Sequence, residues 1–191
     1  MAKAYAALGQ SADAERVLAD AAEHRGQFVA VHTPQLMISN SWLAAARGSN
    51  HRAVELARAA ADAAQESGQY AVEAEALHHA ARFGDQTVAT RLEELVCLVD
   101  GEMVAMQARH AVAVATSDAP ALDAVSLHFE EAGLLLSAAD SAAQAAVLYA
   151  DTGQRIRSQE CRGRAVRLAD ECGGAMTPAI MKSALRTARR M

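Results

Sequence analysis

His78 and His79 stand side by side just after Glu73 and Glu75, a grouping that invites a metal reading. Histidine nitrogens and carboxylate oxygens are the usual protein ligands of zinc. Successive residues on a helix point about 100° apart, however, so the two imidazoles cannot share one ligand face. Glu75 and His79 are four residues apart and can pair, but no third ligand is near in sequence. A metal site is therefore not expected. The doublets Glu93-Glu94 and Glu130-Glu131 could be acid/base pairs only if a shared cleft shifted their pKa values. On a helix they read as a solvated face. His110 and His128 are isolated in sequence and read as partly buried or surface histidines. Ser, His and Asp are present, yet no GxSxG elbow orders them. No GxxxxGK[ST] phosphate loop occurs, so no nucleotide site of that type is expected. The three cysteines, Cys97, Cys161 and Cys172, are odd in number and lack CxxC spacing. Cys161, Ala165, Leu168 and Cys172 fall at helical spacing, where a free thiol behaves as a small hydrophobe. Free thiols fit a reducing cytoplasm. No catalytic residue, cofactor or metal is expected.

Charge points elsewhere. The 191 residues carry a formal net charge of −5. Residues 153–191 hold nine cations, Arg155, Arg157, Arg162, Arg164, Arg167, Lys182, Arg186, Arg189 and Arg190, against three acids. That end is +6 and residues 1–152 are −11. The nine basic residues are the candidate surface for an anion or an acidic neighbouring domain. A solvated arginine face is the plainer reading.

The elements that would position these residues are marked by glycine. Short breaks centre on Gly9, Gly48, Gly84, Ser117 and Gly153, spaced 33 to 39 residues apart. A second ladder, Gly26, Gly68, Gly101, Gly133 and Gly173, interleaves with the first. Two interleaved ladders read as helix, turn, helix, turn, about five times over. Alanine fills about a quarter of the chain and aromatics only 4%. Alanine has the best helix propensity, so the chain reads as all-helical and closely packed. Thr33-Pro34, Asp118 with Pro120, and Thr177-Pro178 are helix starts. The stripes Leu92/Leu95 and Leu122/Val125/Phe129 are expected to be buried. Trp42, Tyr5, Tyr70 and Tyr149 fall at core spacing. No signal peptide or membrane span is expected.

The expected fold is all-α, a tetratricopeptide-like helical-hairpin repeat array (a right-handed α-solenoid). Residues 1–176 would form about five hairpins, the first truncated, and residues 177–191 a basic C-terminal helix. Neither end has the polar cap that solenoids use, so the chain is expected to belong to a longer polypeptide.

The blocks Trp42 to Gly48 (WLAAARG), Glu73 to Asp85 (EAEALHHAARFGD), Phe129 to Gly133 (FEEAG) and Arg164 to Ala179 (RAVRLADECGGAMTPA) carry a resemblance. They resemble the helical region of large actinobacterial LuxR-type transcriptional regulators, and the likeness runs through essentially the whole chain. The resemblance implies an NTPase module upstream and a helix-turn-helix downstream; neither is carried by these residues. It implies a non-enzymatic regulatory module that couples an upstream signal to a DNA-binding domain through residues 177–191. Expected partners are proteins or neighbouring domains of the same polypeptide, with room for a small-molecule or peptide effector. DNA would be reached only through another domain, and no membrane partner is expected. A stand-alone tetratricopeptide-like adaptor is the alternative, and either would be cytoplasmic.

Overall fold

The computed structural model describes residues 1–23 and 30–188. Among these residues the chain is all-helical, with eleven α-helices and no strand. They are α1 (Ala2–Ala7), α2 (Ser11–Glu23), α3 (Thr33–Ala46), α4 (Asn50–Glu66), α5 (Tyr70–Arg82), α6 (Ala89–Val96), α7 (Glu102–Ala115), α8 (Ala119–Glu131), α9 (Leu135–Asp151), α10 (Arg155–Glu171) and α11 (Pro178–Ala188). A 3-10 turn, Ala30–His32, leads into α3. Gly26 of the second ladder lies outside the described residues.

Most connections are only a few residues long, which makes consecutive helices antiparallel neighbours. The turns sit where the ladders place them. Gly48 has φ +77° and Gly133 φ +74°, a left-handed conformation that costs glycine nothing. Ser117 takes the same region at φ +53° and is the only non-glycine residue to do so among those described. The side chain of Asp118 then caps α8 by accepting from Ala121 N at 2.9 Å, with Pro120 in its first turn.

The odd-numbered helices form one layer, in which α1 packs on α3, α3 on α5, α5 on α7 and α9 on α11. Each even-numbered helix fits against the odd helices before and after it. Alanine makes this closeness available, because helix separation is set by the side chains at the contact. The buried face of α4 is alanine alone: Ala53, Ala57, Ala60, Ala61 and Ala64. Trp42, Phe129, Ile38, Leu92, Leu95 and Leu122 fill the wider gaps.

One feature departs from expectation and two others bear on the site. Tyr70, placed in the core by spacing, opens α5 and is 40% exposed. Helix α6 has only 8 residues, against 17 in α4 and in α10. The first and last hairpins also meet. Met176 N donates to Ala7 O at 2.8 Å, and an added Cβ on Gly173 would lie 3.5 Å from Leu8. The short first helix is thereby covered, with Ala2, Ala6 and Ala7 buried.

Candidate functional site

The main concentration of polar chemistry is a buried network that crosses the odd-numbered helices. It starts at α5, whose last two turns put Glu75, His78, His79 and Arg82 among α1, α3, α7 and α9. Trp42 Nε1 of α3 donates to His79 Nδ1 at 3.2 Å. Arg82 Nη1 approaches the same nitrogen at 3.4 Å, and its guanidinium lies 4.7 Å above the Trp42 ring. Nδ1 of His79 is therefore the acceptor, and Nε2 carries the hydrogen that points at Glu75 Oε1, 3.4 Å away. Glu75 also accepts from Lys3 Nζ of α1 at 2.7 Å. The bonds from His79 and Lys3 hold its carboxyl down at about 2, against the opposing effect of burial.

A second branch is wired with equal definition. Gln144 Nε2 of α9 donates to Ala81 O at 3.2 Å and Arg82 O at 3.4 Å, which leaves its Oε1 to accept. His110 Nε2 of α7 donates to that oxygen at 2.7 Å. His110 Nδ1 must then accept from His78 Nε2, at 3.0 Å. The Phe129 ring packs against both imidazoles. Each of the three histidines is held neutral. Burial pushes His79 and His110 down to about 4 and His78 well below its ordinary value, and the Arg82 charge adds to this in all three.

A third branch reaches α11. Arg82 Nε donates to Asp140 Oδ2 of α9 at 2.8 Å, and both groups are buried. Thr177 Oγ1, just before α11, donates to Asp140 Oδ1. Burial pushes the Asp140 carboxyl up, opposed by Arg82 and Thr177. Its centre, His78, His79, Arg82, His110 and Asp140, is buried, while Glu75 and Lys3 reach the surface, and its geometry ties helices together. Among the described residues no group of three His, Cys, Asp or Glu is placed to hold a metal ion.

Pairing of Glu75 with His79 follows from the spacing. His110 does not fit the expectation of isolation, being fully buried and bonded to His78. The signal in the sequence that could expose it is the spacing of these residues. His78, His110 and Gln144 are 32 and 34 residues apart, close to the spacing of the glycine ladders. Polar groups at that spacing on α5, α7 and α9 meet in the core.

Several of the nine basic residues have partners within the chain. Arg164 is paired with Asp123 at 2.8 Å, and Arg167 with Glu130 at 2.6 Å and Glu171 at 2.8 Å. Two of these pairs clamp α10 to α8. Arg157 lies over the Tyr149 ring at 5.6 Å. Arg155 is exposed, and Nε of Arg162 is buried without a hydrogen-bond partner. Lys182 of α11 borders two cavities beside the α3–α4 and α5–α6 turns. The side chain of Arg186, and Arg189 and Arg190 altogether, lie outside what the structure describes. Cys161 is buried with its thiol pushed up to about 12 by burial, Cys172 is partly buried and Cys97 is exposed. No described helix is long and apolar enough to cross a membrane.

Compared with known protein families, curated proteins and solved structures, the chain matches none of them.

Proposed function

We propose that the alternating helices are a tetratricopeptide-like repeat array acting as a non-enzymatic regulatory and interaction module. In this reading it belongs to a LuxR-type transcriptional regulator and couples an upstream signal or NTPase module to a DNA-binding domain that follows α11. The observation that carries the reading is the continuous polar chain from Thr177 through Asp140 and Arg82 to Trp42, His79 and Glu75. A partner that shifts α3 or α5 must disturb Arg82, and Arg82 holds the carboxylate that anchors the base of α11. A ligand drives such a shift only through different affinity for the two arrangements. The packing of each hairpin mainly on its neighbours supports a binding scaffold of the repeat type.

The test is the intact mass of the polypeptide that carries this segment, captured from its own cells. A product far larger than 20.1 kDa that binds DNA, with affinity altered by Thr177→Val, is expected. A product of 20.1 kDa would overturn the reading and leave a free-standing adaptor.

A further inference from the structure

The short helix α6 leaves a groove. Because α6 stops at Val96, parts of α7 and α8 that a longer helix would cover stay open. The resulting cavity holds about 650 Å³ and is floored by Ala108, Val112, Ala121 and Val125, with Val96 at its edge. That volume lies within the range of small-ligand sites, roughly 300–1,000 Å³.

Two charged residues line this apolar floor without an ion-pair partner among the described residues. Glu93 of α6 and Arg109 of α7 both line the groove. Among the described residues neither forms an ion pair, with each other or with any other group. The third charged residue there, Asp118, is already committed to capping Ala121 N. The five arginines from Arg47 to Arg91 each have a carboxylate partner, which Arg109 lacks. Arg109 also borders a smaller neighbouring cavity with His128, Glu102 and Glu131. Those acids disfavour a ligand with more than one negative charge. The groove therefore offers one anionic contact from α6 and one cationic contact from α7 beside an apolar surface, and the two do not pair with each other.

We propose that this groove binds a short apolar peptide with both termini free. Its ammonium group is met by Glu93, its carboxylate by the planar fork of Arg109, and its side chains cover the Ala108–Val112 floor. Guanidinium pairs with carboxylate in two parallel hydrogen bonds, a geometry no neutral end group reproduces. Both contacts are exposed, so salt weakens the binding. This site is independent of the coupling role proposed for the Arg82 network.

Cys97 supplies the readout, because its exposed thiol lines the groove. The probe is trileucine, and the measurement is the rate at which a disulfide reagent modifies Cys97 in Cys172→Ser protein. The buried Cys161 thiol does not compete. Trileucine is expected to slow the reaction saturably at or below about 1 mM, an affinity of about 4 kcal/mol. N-acetyl-trileucine and trileucine amide are each expected to bind at least tenfold more weakly. Glu93→Gln should abolish the penalty of acetylation alone, and Arg109→Gln that of amidation alone, as a pairwise cycle requires. Ala124→Trp, which fills the groove from an exposed position, should remove protection. Capped and free peptides protecting equally, or no saturable protection, would overturn the proposal. So would protection that rises with protein concentration in the absence of peptide, since a second copy would then occupy the groove.

Discussion

Lowering the pH from 7 to 5 should remove about 4 kcal/mol of folding stability, a large part of the 5–15 kcal/mol typical of a domain. His79 and His110 are held at about 4 in the folded chain and return to near 6.5 when it unfolds. Between those values the unfolded chain binds protons that the folded chain refuses. The stability these groups contribute is fully present above pH 6.5 and is lost as pH falls toward 4. The slope is about 1.4 kcal/mol per pH unit for each histidine. Allowing for partial titration near 6.5, each loses about 2 kcal/mol from pH 7 to 5, and His78 adds to the total. The wiring gives the reason, because a proton on Nδ1 of His110 would face the hydrogen on His78 Nε2. A proton on Nδ1 of His79 would likewise face the Trp42 and Arg82 donors. Asp140 works in the opposite sense, since its raised pKa lets the folded chain take up a proton first. It offsets at most one proton. Urea unfolding at pH 7, 6 and 5, followed by the emission of Trp42, the single tryptophan, measures the slope. A stability at pH 5 within about 1 kcal/mol of that at pH 7, or net uptake of less than one proton on unfolding at pH 5.5, would refute the reasoning. His110→Gln should flatten the slope by one histidine's share.

Asp140→Asn leaves the buried Arg82 without its counter-charge and should cost about 3 kcal/mol or more, whereas Thr177→Val removes a hydrogen bond to the same carboxylate and the acceptor of Ile180 N and should cost about 1–2 kcal/mol; thermal melts compare the two. Ser117→Gly should raise stability by about 1 kcal/mol in chemical denaturation, because glycine relieves the left-handed strain at φ +53°. Ala142→Leu should lower stability by about 1–3 kcal/mol, read from the denaturation midpoint, since Ala142 of α9 is fully buried in a cluster with Ala165 of α10 and Ala179 of α11.

The helices and breaks were legible because local rules govern them. A glycine or its stand-in at a regular interval marks a helix end whatever lies around it, and Ser117 was found by interval alone. Trp42, Tyr149 and Phe129 were placed in the core by helical spacing, and all are buried. Tyr70 was misread because spacing cannot tell the first residue of a helix from its middle. The bonds that join Arg82 to Asp140, 58 residues away, depend on how sharply successive hairpins turn. That curvature is set by the sum of many alanine contacts, and no single residue reports it. The groove beside α6 was hidden for a related reason. Val99 continues the apolar spacing of α6, yet the helix ends at Val96 and the chain turns through 97–101.

The contact of Met176 with Ala7 changes how the molecule should come apart. Were the helices stacked in a row with two free ends, unfolding would start at either end and spread inward. Here the two terminal hairpins share a backbone hydrogen bond and the Leu8–Gly173 approach, so neither is free to fray alone. The loop closed by these contacts spans almost the whole chain, and its closing entropy is recovered only when the intervening hairpins are in place. These bonds should form last in folding and break as one event with the rest, giving a single sharp transition rather than a graded one.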